Sequence, residues 1–73
     1  MKVVLYSKPG CVQCVATSKA LDKKGIVHEV VDLTKDQEAT QWVQAQGYRQ
    51  VPVVLAGEQH WSGFRPDLIN ALS

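Results

Sequence analysis

The residues in this sequence best suited to chemistry are its two cysteines, Cys11 and Cys14, which are the first and last residues of the run Cys-Val-Gln-Cys. A bond between them closes so short a loop that it removes only about 2 kcal/mol of chain entropy. A disulfide between Cys11 and Cys14 would therefore stabilise the fold very little. A C-x-x-C pair inside a βαβ pattern is typical of a dithiol that cycles between reduced and disulfide forms, and we predict a redox-active pair.

The position of the two cysteines predicts a different role for each. The β-branched run Val3–Tyr6 predicts a buried strand, the segment Ser7–Gly10 a turn, and Cys11 the start of a helix. Unpaired N–H groups and the helix dipole lower the pKa of a thiol at that position, so Cys11 is the predicted nucleophile. Cys14, one turn later on the inward face, is the predicted resolving cysteine. Lys8 is predicted to give the thiolate modest Coulombic support.

Other interpretations of the cysteine pair are a structural disulfide, half of a zinc site, or two buried small residues. A structural zinc needs four ligands, and the histidines His28 and His60 lie too far apart for the usual ligand spacing. We expect both histidines to be ordinary strand residues, and no bound metal.

The elements that position the cysteines follow from periodicity and turn signals. The first helix ends before Gly25, and Ile26–Val31 predicts a second strand. The run Thr34–Gln37 matches a capping box that opens a second helix, with Gly47 as its stop. The apolar face of that helix is formed by Ala39, Trp42 and Val43.

The last third of the chain predicts a hairpin and a helix. Val51–Leu55 and Glu58–Trp61 are the predicted strands around an Ala56-Gly57 turn, and Pro66-Asp67 suits the first turn of a helix that buries Leu68, Ile69 and Leu72. The order βαβαββα predicts an α/β fold with a four-stranded mixed sheet and three flanking helices, in a single domain over residues 1–73.

The dipeptide Val51-Pro52 is a second candidate feature. A proline that begins a strand gives no donor to the ladder, and beside a dithiol we expect the bond to be cis. The backbone of Val51 would then be open to an extended substrate segment that pairs with it next to the nucleophile.

Length and charge exclude several classes of function. A chain of 73 residues with no apolar run near the ~18 residues of a membrane span, and no secretory signal, predicts a soluble cytoplasmic protein. A net charge of +1 gives no basic surface for nucleic acid or anionic lipid. We expect neither a nucleic-acid nor a membrane partner, and a monomer.

Three motifs over the whole chain resemble the glutaredoxin-like NrdH-redoxin family of the thioredoxin superfamily. They are Cys-Val-Gln-Cys at Cys11–Cys14, Arg-Gln-Val-Pro at Arg49–Pro52, and Trp-Ser-Gly-Phe-Arg-Pro-Asp at Trp61–Asp67. The resemblance implies a thioredoxin fold and a thiol-disulfide oxidoreductase. It also implies a cytoplasmic electron donor to the large subunit of class Ib ribonucleotide reductase, for deoxyribonucleotide synthesis. The implied electron source is thioredoxin reductase, which itself holds the flavin and uses NADPH, so no cofactor is expected on this chain.

The residues themselves favour thioredoxin reductase over glutathione. Glutaredoxins that use glutathione hold its amino group with an acidic pair after a Gly-Gly turn. Here the turn is Ser62-Gly63, and Arg65 and Pro66 occupy the acidic positions. A cationic Arg65 would repel the ammonium group and is expected to hold the loop instead. A glutathione-dependent glutaredoxin, a general disulfide reductase, and a dimeric iron–sulfur carrier remain the alternatives.

The aromatic residues receive separate predictions. Trp61 and Phe64 are candidates for an apolar docking face near the cysteines, whereas Tyr6 and Trp42 are predicted to be core residues. Thioredoxins proper keep a buried acid beneath the active site, but Val3–Tyr6 contains none. Asp67 is expected to act at the N-terminus of the last helix.

Overall fold

The computed structural model describes residues 2–72, so Met1 and Ser73 of the predicted 1–73 domain lie outside the described residues. The predicted order βαβαββα is confirmed. The elements are β1 (Val3–Ser7), α1 (Val12–Lys23), β2 (Glu29–Asp32), α2 (Gln37–Ala45), β3 (Val53–Ala56), β4 (Gln59–Ser62) and α3 (Pro66–Asn70).

The strands form one mixed sheet in the order β2-β1-β3-β4. β1 pairs parallel with β2, while β1 with β3 and β3 with β4 are antiparallel. β1 is thus an inner strand, and its apolar run is buried because both faces of the sheet are covered. This is the mixed four-stranded sheet predicted from the sequence, and the predicted thioredoxin fold is confirmed.

Alternation along β1 divides the core into two layers. Val3 and Leu5 face α1 and α3, where they join a cluster with Leu21, Trp61 and Ile69. The side chains of Leu21 and Ile69 are almost completely buried, so these two helices are held against the sheet mainly by apolar contact.

The opposite layer is built against α2. Val4 and Tyr6 of β1 pack there with Val43 and Val53. Trp42 stacks on Tyr6 with ring centroids 5.4 Å apart, which confirms that both aromatic residues belong to the core layer. The two layers clamp β1 from both sides and so fix the end of the strand from which the cysteine loop starts.

The predicted capping box is wrong. The N-cap of α2 is Asp36, whose side chain accepts from the N–H of Ala39 at 2.9 Å. Thr34 is instead held in the preceding turn, where both its N–H and its hydroxyl donate to Asp32. An aspartate is as good a cap as a threonine, so the tertiary placement of the turn decided between them.

Several strand boundaries also differ from the prediction. β2 starts at Glu29 rather than Ile26, because pairing with β1 starts at Glu29 while Ile26 packs against the core. β3 starts at Val53, one residue after Pro52. The hairpin turn is Gly57-Glu58 rather than Ala56-Gly57, since Ala56 and Gln59 form the closing pair and the positive φ of 61° falls on Gly57.

Among residues 2–72, no helix combines the length and the apolar character needed to cross a bilayer.

The position of the α2 cap can be tested by two alanine substitutions. Asp36→Ala removes the acceptor for the Ala39 N–H and is expected to lower the free energy of unfolding by about 1 kcal/mol in urea titrations. Thr34→Ala removes only an exposed turn contact and should cost at most about 0.5 kcal/mol. A larger loss for Thr34→Ala than for Asp36→Ala would restore the capping box and contradict the structure.

Candidate redox site

The chain between β1 and α1 presents Cys11 at the start of the helix. Gly10 has a positive φ of 78°, a conformation that glycine adopts without steric cost, and it turns the chain into the helix. Cys11 is the N-cap residue with extended backbone angles, and its Sγ accepts a hydrogen bond from the N–H of Cys14 at 3.1 Å. The sulfur therefore replaces the side-chain oxygen of an ordinary cap.

The two cysteines are bonded to each other, with Cα atoms 5.2 Å apart. Cys11 is partly exposed, whereas Cys14 is 5% exposed on the buried stripe that includes Thr17 and Leu21. Only Cys11 is therefore accessible to the sulfur of a macromolecular substrate. This difference in exposure supports the predicted roles, with Cys11 attacking and Cys14 resolving.

The electrostatic surroundings favour a thiolate at Cys11. The first turn of α1 contains no acidic residue, so the N–H groups and the positive end of the helix dipole are not opposed locally. Lys8 is exposed and lines the same groove as Cys11. Its position is compatible with the modest Coulombic role predicted for it, because an exposed charge is largely screened by water.

A shallow groove of about 410 Å³ runs past Cys11 on the side of Val51. It is lined by Lys8, Arg49, Gln50 and Val51, together with Val12 and Gln13. The Val51-Pro52 bond is cis, the isomer that the neighbouring dithiol favoured although the sequence alone did not determine it. The N–H of Gly63 donates to the carbonyl oxygen of Pro52 at 2.8 Å, so the Ser62-Gly63 loop is joined directly to this segment.

A second groove, of about 540 Å³, lies on the other side of the cysteines between α1 and β2. The exposed side chains of Val12, Val15 and Val30 line it, and Cys14 also borders it. Sequence reasoning missed this groove. The available signal was the pair Val12 and Val15, two apolar residues outside the stripe that α1 buries against the sheet.

The docking face predicted from Trp61 and Phe64 is wrong for Trp61. Its ring is only 6% exposed and belongs to the core layer beneath α1 and α3, because β4 pairs with β3 in a register that points this position inward. Phe64 is 40% exposed, as a docking residue would be. Among the described residues, neither groove beside Cys11 is lined by Phe64 or Arg65.

The guanidinium group of Arg65 is hydrogen-bonded to the carboxylate of Asp67, which agrees with the prediction that Arg65 holds this loop. Its Nε donates to Oδ1 at 3.2 Å and its Nη2 to Oδ2 at 2.9 Å, so both carboxylate oxygens accept from one guanidinium group. These hydrogen bonds hold the pKa of Asp67 below its ordinary value. Asp67 lies in the first turn of α3, where a negative charge also suits the helix dipole.

Tyr6 is unsuited to acid–base chemistry near neutral pH. Burial raises the pKa of its hydroxyl, and the negative charges of Asp36 and Glu29 raise it further. The phenol therefore stays protonated under physiological conditions.

Over residues 2–72, no three histidine, cysteine, aspartate or glutamate side chains cluster closely enough to hold a metal ion.

A thioredoxin-like fold with a partly exposed N-cap cysteine and a buried partner defines a thiol–disulfide redox protein. A family profile described as Glutaredoxin matches residues 3–61. The glutaredoxin-like protein NrdH of Escherichia coli K12 is 46% identical over 72 residues, which cover 99% of this chain and 89% of that protein. The NrdH of Lactococcus lactis subsp. lactis is 31% identical, with coverage of 97% and 99%.

Solved structures agree with this assignment. The structure of NrdH-redoxin from E. coli, described as a glutaredoxin-like protein with a thioredoxin-like activity profile, superposes with a TM-score of 0.96 at 45% identity. The match covers 100% of this chain and 96% of that one. A glutaredoxin from Archaeoglobus fulgidus matches with a TM-score of 0.79 at 26% identity, covering 97% and 84%. The chain belongs to the NrdH glutaredoxin-like proteins of the glutaredoxin family.

The assignment of roles to the two cysteines predicts different trapping behaviour. With a disulfide-containing protein substrate, Cys14→Ser should accumulate a mixed disulfide through Cys11, because no thiol remains to resolve it. Cys11→Ser should form little adduct, since Cys14 is buried. Non-reducing gels and mass spectrometry measure both, and equal trapping by the two variants would contradict the assignment.

Proposed function

We propose that this chain is a cytoplasmic dithiol electron carrier that receives electrons from NADPH through thioredoxin reductase and delivers them to class Ib ribonucleotide reductase. The observation that carries the choice of reductase is the pairing of Arg65 with Asp67. The similarity to NrdH proteins over nearly the full chain supports the choice of electron acceptor.

Each turnover balances as two exchanges. The thiolate of Cys11 attacks one sulfur of the substrate disulfide, and the other substrate sulfur leaves as a thiolate. Cys14 then loses its proton and attacks Cys11, which forms the Cys11–Cys14 disulfide and releases the second substrate thiolate. The substrate gains two electrons and this chain loses two. The proton of Cys14 goes to solvent, from which the released substrate thiolates take up protons. Thioredoxin reductase, whose flavin is reduced by NADPH, restores the dithiol.

The groove past Val51 is the proposed position of the substrate segment. In this groove the backbone of Val51 lies beside Cys11. The basic side chains of Lys8 and Arg49 also line the groove and suit a substrate segment with acidic residues. Such a segment could lie extended against Val51 and bring its disulfide to the exposed sulfur.

The argument against glutathione rests on charge. Glutathione carries an ammonium group, which needs a free carboxylate at its binding position. Asp67 is the acidic residue at the start of α3, but both of its oxygens already accept from Arg65. The Arg65 guanidinium would also repel the ammonium group directly. Tight glutathione binding is therefore disfavoured, whereas slow exchange with any small thiol is still expected.

Two recycling systems distinguish these possibilities. With a model disulfide as acceptor, NADPH oxidation should be fast with thioredoxin reductase and slow with glutathione plus glutathione reductase. Arg65→Ala frees the Asp67 carboxylate and removes the repelling charge, so it should raise the glutathione rate several-fold. The same variant should change the rate with thioredoxin reductase less.

Lys8→Ala is the matched control, because it removes a positive charge beside Cys11 without touching Asp67. It should not raise the glutathione rate. Turnover mainly with glutathione in the unmodified protein would overturn the proposed electron source. Reduction of class Ib ribonucleotide reductase by the recycled protein then tests the proposed acceptor.

A further inference from the structure

Release of substrate requires that Cys14 lose its proton, and the strand beneath Cys14 offers no carboxylate to accept that proton. The residue is 5% exposed, and the strand beneath it, Val3–Ser7, carries no carboxylate. Tyr6 stays protonated, because its pKa is raised by burial. A thiol must be deprotonated to attack, so the acceptor is either solvent in the groove that Cys14 borders or another side chain near that groove.

The groove between α1 and β2 connects Cys14 to a polar side chain. Cys14 and Ser18 both line it, and they lie four residues apart on α1, which places them on the same side of the helix. The groove is open to solvent and, at about 540 Å³, has room for several water molecules. Water in it can bridge the sulfur of Cys14 and the hydroxyl of Ser18.

Ser18 is in turn hydrogen-bonded to an almost buried histidine. The distance from Ser18 Oγ to His28 Nε2 is 2.9 Å, and His28 Nδ1 lies 3.1 Å from the carbonyl oxygen of Ile26. A carbonyl oxygen only accepts, so Nδ1 carries the ring hydrogen and Nε2 presents its lone pair to the serine O–H. The side chain of His28 is 5% exposed. The prediction of an ordinary strand residue is wrong, since His28 precedes β2 and its ring faces α1.

We propose that Ser18 and His28 form a proton relay that accepts the proton of Cys14 during resolution. The inference rests on the dithiol exchange under Proposed function, but not on the identity of its partners. Cys14 gives its proton to a groove water, the water gives one to Ser18 Oγ, and Ser18 gives its own to His28 Nε2. The Cys14 thiolate attacks Cys11, the substrate thiolate leaves, and the imidazolium later returns the proton to solvent.

The charged groups around His28 are compatible with this role. On α1, Asp22 Oδ1 lies 3.8 Å from Nδ1, where a carboxylate stabilises the imidazolium. From the sheet side, Lys2 and Glu29 border the same groove as His28, and their own ion pair at 3.6 Å offsets the two charges. Lys19 lines the groove shared by Cys14 and Ser18, where its positive charge favours the thiolate.

A serine, a histidine and an aspartate in one cluster also suggest a hydrolytic triad, but the geometry disfavours it. In a triad the carboxylate accepts from the histidine N–H. Here Nδ1 donates to the Ile26 carbonyl, and the Asp22 carboxylate lies beyond hydrogen-bond distance. Ser18 also lies in the middle of α1, where the backbone N–H groups are used within the helix and cannot form an oxyanion hole.

Stopped-flow reaction of the reduced protein with one equivalent of an aromatic disulfide tests the relay. The first release of coloured thiolate reports attack by Cys11, and the second reports resolution by Cys14. In His28→Gln the amide can still accept from Ser18 but cannot take up a proton. We expect the second release to slow about tenfold at pH 7, with the first unchanged. Ser18→Ala should give the same pattern.

The pH profile separates a proton relay from a structural effect. In His28→Gln the second rate should rise more steeply with pH than in the unmodified protein, by up to about tenfold per pH unit, because hydroxide must replace the imidazole. His60→Gln is the matched control, since His60 lies exposed on β4 with its ring bonded to Tyr48, and both releases should be unchanged.

Three outcomes would contradict the account in distinguishable ways. A second release in His28→Gln within about twofold of the unmodified protein overturns the relay. Equal slowing of both releases assigns His28 a structural role and also overturns it. Absence of the first release in the unmodified protein overturns the dithiol function itself, and the relay with it.

Discussion

The hydrogen bond from the Cys14 N–H to Cys11 Sγ is the interaction on which the rest of the site depends. It makes Cys11 the N-cap of α1, where the end of the helix favours negative charge. Cys14 then lies one turn further along the helix, on its buried side. Two chemically identical residues thereby acquire different exposure and different electrostatic surroundings. The proposed division of roles between an attacking and a resolving sulfur rests on this single placement.

The sheet holds Cys11 and Cys14 in these positions. β1 is clamped between two apolar layers, and Gly10 turns the chain from its end into α1. The same strand end lies beside the segment that contains Val51 and Pro52, so Cys11 has one groove on each side of it. We propose that one groove receives the substrate segment. The other is lined by Cys14 and by Ser18, whose Oγ lies 2.9 Å from His28 Nε2.

The sequence predicted the element order, the mixed sheet, the central β1 and the position of the cysteines at the start of α1, because strong local patterns and a specific motif determine these features. Boundaries were less predictable, since pairing and packing decide them. Asp36 rather than Thr34 caps α2, and β2 starts only at Glu29. The sequence could not decide whether Trp61 lies in the core or on the surface, because its burial depends on the register of β3 with β4. The contact of Ser18 with His28 joins α1 to the loop that follows it, and none of the sequence patterns described above signals that contact.

The central claim, that Cys11 is the accessible thiolate and Cys14 its protected partner, is tested most directly by alkylation of the fully reduced protein. Mass spectrometry after timed exposure to iodoacetamide gives the rate at each cysteine across a pH series. The account predicts that Cys11 reacts rapidly below the pH at which an ordinary thiol ionises, about 8.5, while Cys14 stays at least about tenfold slower. Equal rates at the two cysteines, or faster modification of Cys14, would contradict it.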